Sequence, residues 1–142
     1  MTFRYPVTLE AEAGDEGLTV SFPDFPEAIT EGSTKASALV AAIDCLDEVI
    51  AARIARDEAL PFPSISNGLV VEPSVTMAAK AALHQAFMAS GLKRTALARR
   101  LDVNETEIRR MLDPRHPTKI ARIENALRIL GKRLSVDVID VA

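Results

Sequence analysis

Asn104, Glu105, Thr106, Arg109, Arg110 and Asp113 fall on one side of a short periodic stretch, and several of them are residue types that read nucleic acid. Arg presents a planar fork of donors suited to guanine and phosphate, while Asn and Thr reach base edges or phosphate oxygens. The stretch that must position them spans residues 94–113, RTALARRLDVNETEIRRMLD. Leu97, Ala98 and Leu101 share one helical face, and Ile108, Met111 and Leu112 share a face in a second segment. Only Asp102, Val103 and Asn104 separate the two, and so short a connection makes a pair of helices cross steeply. Asn104 followed by Glu107 has the spacing of a reciprocal capping box, which predicts that the second helix starts at Glu105.

This pair resembles the Cro/Xre-type helix-turn-helix. Ala98 is the small residue where the helices touch, Val103 the apolar residue after the turn, and Ile108 the β-branched residue of the second helix. Asp102 replaces the usual turn glycine, and Asp tolerates the left-handed conformation better than most residues. The resemblance implies a DNA-reading second helix. Candidate contacts are Arg94, Thr95, Asn104, Glu105, Thr106, Arg109 and Arg110, with Lys93 and Arg99 or Arg100 helping to position the backbone. Arg115 and Lys119, with His116, follow in a Pro-rich loop at the start of a further helix, where backbone N–H groups also attract anions.

The neighbouring elements follow from the same periodicity. An Ala-rich helix is predicted over 75–90, with Met77, Ala81, Ala82, Phe87 and Met88 inward and Gly91 as its cap. Thr118 is expected to cap a helix with the stripe Ile120, Ile123, Leu127 and Leu130, closed by Gly131. Leu134, Val136 and Val138 alternate with polar residues, so 133–139 reads as a strand. Its expected partner is its own copy in a second chain, giving a homodimer or a higher oligomer. Two second helices on a dyad would read a palindrome about one helical turn apart.

Charge divides the chain. Residues 1–76 hold 4 Lys/Arg and 13 Asp/Glu, a balance of −9; residues 77–142 hold 13 and 7, a balance of +6; together they give the net −3. A basic half suits nucleic acid and an acidic half a cationic partner. Hydrophobic content of 48% and charged content of 26% are those of a soluble globular protein. No apolar run approaches the ~20 residues that span a bilayer, and the start lacks a signal-peptide core, so a cytoplasmic protein is expected. The single Cys45 reads as a small packed residue, and His84 and His116 form no Cys/His cluster, so neither a metal nor another cofactor is expected. His84 is read as an exposed or partly buried helix residue.

The first half reads as a β-β-β-α-β unit, a curved sheet crossed by one long helix. Phe3, Tyr5, Val7 and Leu9 alternate on a first strand; residues 13–17 are turn chemistry; Leu18, Val20 and Phe22 alternate again. Pro23 to Pro26 is expected to break the ladder, with a third strand at 28–32. Ser33 or Thr34 caps a helix reaching about Arg56 with Leu39, Ile43, Leu46, Ile50 and Ile54 inward and Asp44, Asp47 and Glu48 solvated. Leu60 to Ser64 is extended by its prolines, and Leu69 to Val71 is a last short strand.

In this order the segments resemble the HicB family of antitoxins. The family's partial ribonuclease-H-like domain carries an F-P-D-x-P signature and a G-[DS]-[ST] helix start, which stand here at 22–26 and 32–34. Lys80 and Leu130-Gly131-Lys132 match the helix-turn-helix branch of the family. The resemblance implies an α+β chain with two domains. Residues 1–74 would be a ribonuclease-H-like toxin-binding domain, and residues 75–142 an all-α helix-turn-helix domain ending in a dimerisation strand. It also implies an antitoxin that neutralises a small basic mRNA-cleaving toxin, HicA, and represses its own operon. The toxin contact is placed on the open sheet side and the loop Phe22, Pro23, Asp24 and Phe25. A nuclease reading fails on chemistry: two-metal hydrolysis needs converging carboxylates, and the first strand carries only Glu10 at its end. Asp24 is expected to cap or turn its Pro-flanked loop, and Asp44 and Glu48, at i and i+4, share a helical face that could in principle make a cation site. The other reading is a stand-alone dimeric repressor whose first domain senses a ligand.

Overall fold

A computed structural model describes residues 1–141 apart from 12, 13, 15 and 16. The chain is mixed α+β, antiparallel strands first and helices after them. The first strand is split at Val7 into β1 (Tyr5–Pro6) and β2 (Thr8–Ala11). β1 pairs with β5 (Val70–Val71), Tyr5 opposite Val71, and the Val7 N–H continues that contact to the Leu69 carbonyl at 3.0 Å. β2 instead pairs with β3 (Leu18–Phe22), which pairs with β4 (Phe25–Gly32). The expected alternation holds, because Tyr5 is buried and Phe3, Val7 and Leu9 pack against the same core. The turn expected over 13–17 lies mostly outside the described residues; Gly14, within it, has φ +82°.

One boundary is corrected. Pro23–Pro26 does not end the ladder: Phe22 pairs directly with Phe25 across a two-residue turn, and β4 runs through Pro26. An irregularity between Ser21 and Phe22 absorbs the change of register, and β4 ends the strand order β2-β3-β4, where a missing N–H is tolerated.

α1 (Lys35–Ala55) starts at Thr34, whose hydroxyl accepts from the Ser37 N–H while the Ser37 hydroxyl accepts from the Thr34 N–H. Its buried line is Ala38, Ala42, Leu46, Ile50 and Ile54, with Leu39 at the margin; Ile43, expected inside, is exposed. Alanines face the sheet because helix and strand approach closely there. A Cβ on Gly32 would lie 2.4 Å from the Ala38 nitrogen. Asp47, expected on the solvated side, accepts from the Ser74 N–H at 2.9 Å and fixes the start of the next helix.

The core beneath α1 gathers Tyr5, Val20, Phe22, Phe25 and Leu46. The Tyr5 and Phe25 rings meet edge to face at 4.7 Å. The Tyr5 hydroxyl donates to the Pro61 carbonyl at 2.9 Å; burial, and secondarily the Asp24 charge, pushes its pKa up to about 12. Arg53 lies over the Phe25 ring and forks onto Glu27 with both bonds at 2.8 Å. That hydrogen-bonded fork holds the Glu27 carboxyl below its ordinary 4.5. A depressed carboxylate stabilises the fold above its unfolded pKa, and the contribution is lost as pH falls through the lowered folded value. Glu27→Gln is therefore expected to lower urea stability at neutral pH and to shrink the difference between neutral and strongly acid pH. An unchanged acid dependence would count against the pair.

α2 (Val75–Ser90) is capped by Ser74 at its start and by Gly91, at φ +68°, at its end. It belongs to two cores. Ala81 and Met77 pack with the sheet-side cluster, whereas Ala79, Leu83 and Ala86 join Leu97, Ile108, Met111, Ile123 and Leu127 in the second. Met88, expected inside, is exposed; Lys80 and His84 are buried in its place. His84 is buried because its Nε2 lies 2.6 Å from the Glu58 carbonyl just past α1. Cys45 is half-buried against the first core, and burial raises its thiol pKa.

Candidate nucleic-acid and partner surfaces

α3 (Arg94–Leu101) and α4 (Glu105–Leu112) are joined by Asp102, Val103 and Asn104. Asp102 adopts φ +55°, the left-handed conformation expected of the residue standing in the glycine position. Asn104 Oδ1 accepts from the Glu107 N–H at 2.9 Å, so α4 begins at Glu105 as its sequence requires. The box is only half made: Glu107 turns its carboxylate to Arg110, at 3.3 Å, and to Arg122 on α5 (Ile120–Ile129), at 2.5 Å. Ile108 and Met111 are buried, and Asn104, Glu105, Thr106, Arg109 and Arg110 are exposed together on the other side of α4. Thr95 and Arg94 are exposed at the start of α3. Among the described residues Arg109 makes no ion pair, so its guanidinium is available to a ligand.

The loop 113–119 holds the surprise. Lys80, from α2, is 6% exposed and donates from Nζ to the Arg110 carbonyl (3.2 Å), the Met111 carbonyl (2.9 Å) and Thr118 Oγ1 (2.7 Å). Its ammonium satisfies carbonyls at the C-terminus of α4, where a cation also complements the helix dipole. Burial lowers its pKa to about 8, and the Asp113 charge opposes that shift. Thr118, expected to cap α5, is taken by Lys80; Lys119 is the N-cap residue and makes no side-chain cap bond. Ile123 and Leu127 are buried as expected, but Ile120 is exposed. Lys80→Met is expected to cost about 3 kcal/mol in urea unfolding, because it strips a donor from three buried or part-buried acceptors at once. A loss well under 1 kcal/mol would mean that water replaces the ammonium.

Arg115 and Lys119 are exposed, and Arg115 lies 3.4 Å from Glu48 on α1. Beyond α5, residues 132–141 form no ladder within one chain. Leu134 packs on the second core while Val136, Val138 and Val141 are exposed.

On the other half, the expected contact loop divides. Phe22 and Phe25 are buried and belong to the core, so as surface contacts they are corrected. Pro23 is exposed and Asp24 partly so. Asp24 turns the backbone, accepting from the Ser64 N–H (2.8 Å) and hydroxyl (2.5 Å) and holding the segment after α1 against the hairpin. The open face of the sheet is set by register: Glu10 and Glu31 flank Thr19, and Thr8 and Ile29 flank Ser21. Ile29 is 64% exposed, and Glu10 and Glu31 are exposed. Sequence reasoning placed the contact on this side without naming these residues; their strand alternation was the available signal.

The chain is thus a small α+β protein with an acidic strand face and a basic helical face. Among the described residues no cluster of His, Cys, Asp or Glu is arranged to hold a metal, and no helix is long and apolar enough to cross a membrane. Residues 4–82 match the family described as the HicB-like antitoxin of bacterial toxin-antitoxin systems. Over 135 residues the chain is 39% identical to Antitoxin HicB of Escherichia coli K12, covering 94% of this chain and 97% of the relative. It is 37% identical over 136 residues to Antitoxin HicB 1 of Photorhabdus laumondii (95% and 86%), and 30% over 140 residues to Antitoxin HicB of Pseudomonas fluorescens (96% and 94%). The chain belongs to the HicB-like antitoxin family.

Proposed function

We propose that this antitoxin works through two surfaces. Residues 1–74 bind and neutralise a small basic mRNA-cleaving toxin of the HicA kind through the open face around Glu10, Ile29, Glu31 and the Pro23-Asp24 turn. Residues 75–142 act as a helix-turn-helix that binds operator double-stranded DNA as a homodimer and represses the antitoxin's own operon. The observation that carries this reading is the exposed row Asn104, Thr106, Arg109 and Arg110 on a helix whose other side is locked into a core, opposite in charge to the strand half. The alternating residues Val136 and Val138, exposed in one chain, supply a strand for the dimer. On this reading the protein is a stoichiometric inhibitor rather than an enzyme, and acts in the cytoplasm.

Electrostatic complementarity sets the toxin contact, so reversing charge at its centre should act strongly. Glu10→Lys with Glu31→Lys is expected to abolish relief of growth arrest when the chain is co-expressed with a small basic toxin of the HicA kind. Urea unfolding should stay within about 1 kcal/mol of the parent, because both sites are exposed. Full relief by the reversed variant would move the contact elsewhere.

A further inference from the structure

Two of the arginines assigned above to DNA are occupied, in the free chain, by carboxylates of the other half. Arg94, the first residue of α3, lies 3.5 Å from Asp57, and Arg115 lies 3.4 Å from Glu48 on α1. Asp57 sits just past α1 with φ +55°. Helices commonly end there on glycine, which has no Cβ to clash; an L side chain in that conformation costs about 1 kcal/mol. What the aspartate supplies in exchange is a carboxylate facing Arg94. Beside the first of these pairs the seam is open: a cavity of about 300 Å³ lies between the end of α1 and α4, with Ile54, Phe87, Met88 and Leu112 along its walls and Asp57, Arg94 and Arg109 also lining it.

We propose that Asp57 and Glu48 are internal phosphate mimics, which hold Arg94 and Arg115 until duplex DNA displaces them and so lower the chain's affinity for DNA of any sequence. The inference rests on the DNA-binding reading of α3 and α4. Both pairs are more than half exposed, at 52% and 75% for Arg94–Asp57 and 55% and 73% for Arg115–Glu48. Exposed pairs are weak and salt-sensitive, which is what a contact exchanged for a phosphate requires. A carboxylate that must leave before phosphate arrives also flattens the salt dependence of binding, since salt loosens the internal pair while weakening the DNA contact.

The test is fluorescence anisotropy of the full chain on a random-sequence duplex over a range of salt. Asp57→Asn with Glu48→Gln is expected to bind about three- to ten-fold more tightly at low salt, with a steeper salt slope and a difference that closes at high salt. Glu10→Gln with Glu31→Gln makes the same change of net charge on the open strand face, where neither carboxylate is in an ion pair among the described residues, and is expected to do much less. Arg94→Ala should weaken binding more in the Asp57→Asn background than in the parent. Asp57→Gly should raise affinity without lowering the melting temperature, because glycine relieves the left-handed backbone. Equal affinity of parent and double variant, or an equal gain from the control pair, overturns the proposal and leaves the DNA reading intact. Failure of the parent and every variant to bind any duplex overturns the DNA reading, and the proposal with it.

Discussion

Arg109→Ala with Arg110→Ala is expected to weaken binding to duplex DNA from the antitoxin's own promoter by about 100-fold or more. The two exposed side chains leave α4 about 100° apart, and on the proposed dimer the double variant removes four guanidinium groups. Arg109 enters binding free of any ion pair among the described residues, whereas Arg110 must give up Glu107 at 3.3 Å. Arg109→Ala alone should therefore be the costlier single change. Helix and core should persist, because Ile108 and Met111, which seat α4, are untouched. Anisotropy on specific and shuffled duplexes separates base contacts from phosphate contacts: loss of discrimination assigns base reading, and a uniform loss with a shallower salt slope assigns phosphate. Val136→Lys with Val138→Lys, read in the same assay with sedimentation velocity, should give monomers that bind the promoter weakly. Binding by the arginine double variant at parental strength would take α4 out of the DNA surface.

Gly32→Ala is expected to destabilise the strand half by about 3 kcal/mol. The contact is one of backbone against backbone. An added Cβ would meet the Ala38 nitrogen at 2.4 Å, its Cα at 2.5 Å and the Ser37 carbonyl carbon at 2.8 Å, so no flexible side chain can move aside. The first turn of α1 would have to lift from the end of β4, breaking the register of Thr34 with Ser37 and reducing burial of Ala38 and Ala42. Urea unfolding by circular dichroism measures the loss. Because α2 contributes Ala81 to this core and Leu83 to the other, the second half should lose stability too. A Gly32→Ala chain as stable as the parent would show that helix and strand separate freely there.

What could be read from the sequence was local, and what escaped it was tertiary. Asn104 and Glu107, three residues apart, announced the start of α4 because a cap is satisfied within one turn. Gly91 and Thr34 were legible for the same reason. The Glu107 carboxylate abandoned its half of the box for Arg110 and Arg122, and the second of these lies on another helix. Thr118 had the chemistry of a cap but was claimed by Lys80, whose buried ammonium needed acceptors from 30 to 38 residues away. The inward stripe of α1 was assigned to its large residues, yet the approach to Gly32 selected Ala38 and Ala42 and left Ile43 outside. At the 22–26 motif, alternation already placed Phe22 inside. Phe25 followed it only through the irregularity beside Ser21, so a motif that looked like a surface loop proved to hold two core rings beside two exposed prolines. Residues 133–139 alternate as a strand does, but the partner proposed for them is a second chain.

The central claim is that one chain carries both a toxin surface and a DNA surface. Its most direct test is intact-mass spectrometry of the tagged chain recovered from its native host at low and high salt. The expected result is a stoichiometric complex with one small basic protein that survives high salt, with DNA lost as salt rises. Recovery of DNA without any small protein partner would contradict the account and leave a stand-alone repressor in its place.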